Sequence, residues 1–466
     1  MTITYAAHVD RARELAALQH FDAAIHAYQA ALHMEPRAAP IYVEAAFLCI
    51  RMGRYEPAVR AFAGALLQAP HNTDALRGRA QCLFVLGRIE EAIESYDALL
   101  ALAPDMDYMV GERLHAQLHC CDWRDYDVRR REIAERVRGG HRADIPGCFL
   151  CHSDSPADQR RCAEIFAADM CAVGQAVPRP APRPPSGRIR IAYISADFRS
   201  HATAHLAAGL FERHDRSRFE TFALSFGPND GSDTRKRLER AFDCFIDVGG
   251  CTDEEIAARV ADLGIDIAVD VKGHTLGARP RIFAMRPASV QVSFLAYPGT
   301  VGIDYMDHLV ADRQVIPTDE RSHYTEQIIG CSKARQPPLA ICGWKRCDAA
   351  SNPIGWSLRR GTMAGSTFTS RVATSLLHAV GLGHLSVTSL DDYQRLSVRL
   401  AADARELRAL KEHLGTARSA SSLFDPAVYA QRLEAAYVEI YARNQRGEPP
   451  SSISISATGT VDREAL

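Results

Sequence analysis

Asp197, His201, Thr203 and His205 lie within nine residues of one another, and all four can move a proton or hold a hydroxyl. Imidazole and carboxylate groups are the usual carriers of a proton to or from a reacting oxygen. The four follow an apolar run at 189–194 and lead into a helix-like run at 204–211. A strand, a polar turn and then a helix is where α/β proteins hold ligands, because helix-start N–H groups and turn side chains point out of the sheet. Two more stretches leave apolar runs in the same way. One is Gly273-His274-Thr275-Leu276-Gly277-Ala278-Arg279, and the other is Leu295-Ala296-Tyr297-Pro298-Gly299-Thr300. Plainer readings stand beside these. Asp197 can be a turn or N-cap residue, His205 a satisfied helix histidine, Arg281 and Arg286 surface or structural charges, and Pro298-Gly299 a turn.

The elements that must position these residues alternate. Short apolar runs at 189–194, 221–226, 244–248, 265–271 and 290–295 read as strands. Helical patterns at 205–214, 232–241, 253–263 and 278–285 lie between them. Such alternation indicates a parallel sheet covered by helices, a Rossmann-like lobe. No G-x-G-x-x-G follows the first strand, so nothing argues for NAD or FAD, and no cofactor is expected. The run from Val177 to Gly187 is proline-rich and reads as a semi-rigid spacer.

Upstream, Pro36, Pro70 and Pro104 are spaced by 34 residues. Ala24, Ala58 and Ala92 repeat at the same interval, as do Tyr28, Phe62 and Tyr96. This is the tetratricopeptide pattern of paired helices: small residues allow close approach, aromatics fill the gap to the next pair, and proline ends the second helix. A short array of this kind offers a concave groove for protein partners.

Composition sets the bounds. The chain has 466 residues, 47% hydrophobic and 24% charged, with a formal net charge of −2. No basic field points to nucleic acid or an anionic membrane, and no apolar run approaches the ~20 residues of a membrane span. The N-terminus lacks an apolar signal core, so a cytoplasmic protein is expected. Thirteen scattered cysteines read as reduced thiols. Cys148-x-x-Cys151-His152 fits the haem-attachment spacing, but that chemistry requires export, so a structural role is favoured. No metal is expected.

The run SADFRSHATAHL, the later DVKGHTLGARPRIFAMRPASVQVSFLAYPGTVG and the repeats together resemble the tetratricopeptide-containing O-linked N-acetylglucosamine transferases, including their bacterial and SPINDLY-like relatives. The resemblance implies inverting transfer of N-acetylglucosamine from UDP-GlcNAc to serine or threonine of a protein. It implies His201 as the active-site histidine of a D-F-x-x-H-P-T-x-H motif, with Asp197 beside it. Thr203, His205, Arg279, Leu295, Ala296 and Pro298 fall on matched positions lining the sugar and acceptor site. Ala202 replaces the proline common in the motif. The repeats would present protein substrates.

The resemblance stops after Tyr324-Thr325-Glu326 and returns at 366–442. In the family a second Rossmann-like lobe lies between and holds the nucleotide. Here 329–365 stands in that place, without a helical or strand period. Lys333, Lys345 and Arg346 have no spacing that recommends them as phosphate ligands. The fold expected is therefore α plus α/β: tetratricopeptide repeats followed by the first lobe of a two-lobed glycosyltransferase, the second lobe truncated. Its parts are repeats at 1–106, a helical connecting region at 107–176 and a linker at 177–187. The first lobe follows at 188–328, an irregular segment at 329–365, closing helices at 366–445 and a disordered tail at 446–466. Contacts to a transferring phosphate are worth about 3 kcal/mol each, so truncation predicts feeble turnover. A non-catalytic scaffold or decayed fragment, and a GDP-fucose-dependent O-fucosyltransferase, are the alternatives.

Overall fold

The computed structural model describes residues 4–171, 178–185, 187–331, 362–421, 423, 425–456 and 459–462. The chain forms two compact units, Met1–His152 and Ser153–Leu466.

The first unit is helical. Three helix pairs follow the 34-residue period: α1 Tyr5–Ala17, α2 Phe21–Met34, α3 Ala39–Arg51, α4 Tyr55–Gln68, α5 Thr73–Val85 and α6 Ile89–Leu102. α7 Met109–His119, α8 Tyr126–Arg138 and the single turn α9 Pro146–Phe149 complete the unit. The repeated alanines are fully buried and the repeated aromatics nearly so. Successive pairs are joined by one recurring contact. The Tyr28 hydroxyl donates to Glu44 at 2.9 Å, and the Tyr96 hydroxyl donates to Glu112 at 2.8 Å, each across 16 residues. At the middle junction the aromatic is Phe62 and the acid's position is Gly78. A Cβ on Gly78 would lie 2.2 Å from the Phe62 ring, so ring and missing side chain replace the hydrogen bond there.

Glu112 thus sits two periods beyond Glu44, and α7 opens a fourth unit past the expected end of the repeats at 106. The alanine and aromatic marks of that unit are gone: Tyr126 and Arg130 occupy their places. The expected connecting region at 107–176 is split, since the boundary between the compact units falls inside it. Within the first unit His152 Nε2 meets Asp144 at 2.7 Å, both buried. Cys148 is buried and Cys151 exposed, and no group of three or more His, Cys, Asp or Glu side chains converges among the described residues.

The second unit opens with α10 Pro156–Met170, capped by the Ser155 hydroxyl with proline in its first turn. There follow β1 Ile189–Ser195, α11 Ala202–Phe211, β2 Phe219–Ser225, α12 Asp233–Ala241, β3 Cys244–Asp247, α13 Asp253–Asp262, β4 Ile267–Asp270, α14 Arg281–Ala284, β5 Val290–Ser293, β6 His308–Ala311 and β7 Gln327–Cys331. Then come β8 Thr362–Met363, α15 Phe368–Ala379, β9 Ser386–Val387, α16 Leu390–Ala402, α17 Ala404–Ala420, α18 Pro426–Gln445, β10 Ile453–Ile455 and β11 Val461–Asp462. The main sheet runs β11-β10-β7-β6-β5-β4-β1-β2-β3. Every pairing in it is parallel except β10 with β11. The order 3-2-1-4-5-6 is that of the doubly wound fold, whose ligand crevice opens where the order reverses, between β1 and β4.

Two expectations are corrected. The described part of the expected disordered tail, 446–456 and 459–462, carries strands: β10 adds to β7, with Ile453 and Ile455 buried. The alternation Ser452-Ile453-Ser454-Ile455 is a strand signal of period two. The described part of the proline-rich run is more than a spacer. Arg179 pairs with Asp307, Arg183 meets Asp266 at 2.8 Å, and Gln445 donates to the Arg183 carbonyl. Such bonds strap it to the base of the sheet.

α18 returns to the main sheet through a buried chain. His214 bridges the Tyr193 hydroxyl at 2.8 Å and Glu434 at 3.0 Å, and Tyr193 donates to the Tyr437 hydroxyl. Of the region expected to hold a second lobe, 332–361 lies outside the described residues. Among those described, β8, α15 and β9 make one parallel β-α-β unit of two-residue strands. No helix among the described residues is long and apolar enough to cross a membrane.

Candidate active site

β1 ends at Ser195, whose hydroxyl donates to the Val271 carbonyl at 3.0 Å and accepts from the Asp197 N–H at 3.0 Å. These bonds tie the exits of β1 and β4 together and aim Asp197 across the switch point. There Lys272, two residues past β4, donates to both Asp197 oxygens at 2.9 and 3.0 Å. Lys272 is 6% exposed and Asp197 2%. A buried pair of this geometry resists loss of either member.

His201 is the N-cap of α11. Its Nδ1 accepts from the Thr203 N–H at 3.2 Å and lies 3.6 Å from Asp197. Burial holds His201 below its usual pKa; Asp197 opposes this, and Lys272, Arg199 and His205 reinforce it. Two demands therefore meet at one atom. The Thr203 N–H favours a bare Nδ1, whereas Asp197 favours Nδ1–H, which leaves the Nε2 lone pair free to take a proton. Lys272, by neutralising Asp197, weakens the second demand.

The neighbouring exits complete the floor. Asp270 accepts from the N–H groups of Lys272 at 2.8 Å and Gly273 at 3.1 Å, and burial pushes its carboxyl up to about 6. Gly273 has φ +53°, and a Cβ there would fall 2.3 Å from that of Tyr297, so only glycine lets the β4 and β5 exits meet this closely. Leu295 has φ +72°, and the Ala296 N–H bonds the Phe294 carbonyl at 2.9 Å. That is the strained, positive-φ form of a γ-turn. Beneath it the buried Glu326 accepts from the Thr300 hydroxyl at 2.6 Å and the Val301 N–H at 2.7 Å, anchoring the loop. His274 donates to the Val301 carbonyl, and burial brings it down to about 4, which keeps the imidazole neutral.

The structure therefore brings Asp197, His201 and Thr203 together at the switch point. Leu295, Ala296 and Pro298 lie on the β5 exit next to that of β4. His205 lies on an exposed position of α11. The helix expected at 205–214 begins earlier because His201 caps it, and that expected at 278–285 is a single turn following Pro280. Arg279 also has structural partners. Its guanidinium pairs with Asp253, donates to the Cys251 carbonyl at 2.8 Å and lies over the Phe226 ring. It braces the loops after β2 and β3 through its Nε and Nη2. Arg286 pairs with Asp307 and Arg281 with Glu254, as structural charges. Lys272, Asp270 and Glu326 escaped the sequence reading. The alternation of acid and lysine at the end of an apolar run, Asp270-Val271-Lys272, was the available signal.

A helical repeat array followed by a doubly wound lobe, with a charged, proton-handling cluster at the strand-order reversal, defines a repeat-bearing α/β enzyme architecture. The profile described as Glycosyl transferase family 41 matches residues 120–334 and 356–433, and a tetratricopeptide repeat profile matches 9–48 and 50–107. The chain belongs to glycosyl transferase family 41. It is 25% identical over 376 positions to the probable UDP-N-acetylglucosamine–peptide N-acetylglucosaminyltransferase SEC of Arabidopsis thaliana, covering 58% of this chain and 38% of that protein. It is 31% identical over 235 positions to the corresponding transferase of Caenorhabditis elegans, covering 45% and 19%. The chain thus spans about two fifths or less of these relatives. In the first alignment 58% of 466 residues is about 270, against 376 aligned positions, so roughly a hundred positions of that relative have no counterpart here. A solved point mutant of the Thermobaculum terrenum O-GlcNAc transferase shares the fold with a TM-score of 0.66 at 21% identity, covering 96% of this chain and all of that one.

Proposed function

We propose that this chain is a protein-directed glycosyltransferase that moves N-acetylglucosamine from UDP-GlcNAc to serine or threonine hydroxyls, with a turnover limited by its donor side. The observation that carries this is the Asp197–Lys272 pair at the switch point, with His201 held against it. In the tautomer that gives Nδ1–H to Asp197, His201 Nε2 accepts the proton of the incoming hydroxyl. The strained loop at Leu295 and the anchor at Glu326 keep the β5 exit rigid beside it, so orientation costs little at the moment of reaction. The repeats supply a groove for the acceptor protein.

The test is transfer of labelled sugar from millimolar UDP-GlcNAc to a serine- and threonine-containing peptide pool. Label that appears with the native chain and is lost in His201→Ala supports the reading. A second reading, a non-catalytic scaffold, is favoured by the roughly hundred positions without a counterpart. Absence of label at any donor concentration, with peptide binding retained, selects it. Label from GDP-fucose in place of UDP-GlcNAc would change the donor and leave the acceptor half as described.

A further inference from the structure

α7 carries His115 and His119, four residues apart and therefore on one helical face. Their Nε2 atoms are 3.2 Å apart, with ring centroids 4.7 Å apart and planes at 75°. Phe84 packs against both rings, 5.4 Å from His115 and 5.0 Å from His119, which keeps them turned toward each other. Zinc binds imidazole nitrogen at about 2.0–2.1 Å. A cation at that distance from two nitrogens 3.2 Å apart subtends an angle of about 100°, between octahedral and tetrahedral values.

We propose that His115 and His119 form a two-imidazole clamp for a divalent first-row transition cation of the Zn²⁺, Ni²⁺ and Cu²⁺ class, with water completing its shell. Borderline cations of this class suit imidazole, whereas Mg²⁺ and Ca²⁺ require oxygen ligands. No third His, Cys, Asp or Glu converges on the pair among the described residues, so the clamp supplies two ligands. His119 is exposed, which gives the cation a path from solvent.

The test is calorimetric titration of the metal-stripped, reduced full chain with Ni²⁺, together with the broadening of histidine ring resonances that this paramagnetic ion causes. The expected result is one saturable site per chain that broadens His115 and His119 first. His119→Ala should weaken it by more than the roughly tenfold cost of losing an outer-shell partner. His119 lies on the surface, so this variant keeps the fold; His115→Ala gives a second arm. His201→Ala controls for the other histidine pair of the same spacing and should leave the site intact. Native affinity in His119→Ala, or first broadening at other histidines, would overturn the proposal.

Discussion

The two regions expected to face each other across a glycosyltransferase cleft are built by different means. The side carrying His201 grows out of the exits of β1, β4 and β5, adjacent strands of a sheet whose central members are buried on both faces. The region after β7 has, among the described residues, β8 and β9 of two residues each around α15, with α16 and α17 beside them. The first needs no structure beyond its own sheet, because the switch point is a consequence of strand order. A nucleotide site in the second would need a sheet of its own, with helix starts to hold phosphate. Roughly a hundred aligned positions of the first relative have no counterpart here, and we place that loss on the second region.

The contrast breaks most easily at the ion pair. Lys272→Met leaves a buried carboxylate alone and should destabilise the second unit by about 3–5 kcal/mol in denaturant unfolding. The double change Asp197→Asn with Lys272→Met should recover much of that. If Lys272→Met unfolds like the native chain, the pair does not hold the switch point. Gly273→Ala meets both the Tyr297 Cβ and a positive φ, and a loss of about 2–3 kcal/mol is expected, by the same measurement. The companion Gly277→Ala has open space around it and should lose less.

Asp270 sharpens the contrast between stability and site. Its folded carboxyl holds a proton up to about 6, whereas the unfolded value is 3.8. A raised folded value adds stability that is full below pH 3.8 and is lost as pH rises through about 6. At pH 8 the buried charge is thus a liability, and Asp270→Asn should gain up to about 3 kcal/mol there and nothing at about pH 3.5. A loss at both pH values would contradict the assignment. The smallest effect concerns His201. Lys272 and burial both lower it, so in Lys272→Met its titration, followed by NMR, should move upward. A downward move would contradict Lys272 as a cause of that lowering.

Much of this architecture was legible beforehand. The apolar run at 189–194 became β1, one residue longer, and the 34-residue period became helix pairs, because both rest on periodicity that packing enforces. Asp197 and His201 stood out because they share one turn. Lys272 did not, because its partner is 75 residues away and a lysine ending an apolar run looks like a boundary. Arg279 stood out by motif position; its bonds to Asp253 and to the Cys251 carbonyl were not legible because those partners lie 26 and 28 residues away. The junction of α7 with the repeats was not legible because Glu112 pairs with Tyr96 through a hydrogen bond that only the second example, Tyr28 with Glu44, makes recognisable.

The central claim, an acceptor side built and a donor side reduced, is tested most directly by titrating UDP into the purified full chain by calorimetry. The expected result is binding no tighter than about millimolar, near −4 kcal/mol. A micromolar dissociation constant, about −8 kcal/mol, would mean that a complete nucleotide site exists in this chain and would contradict the claim.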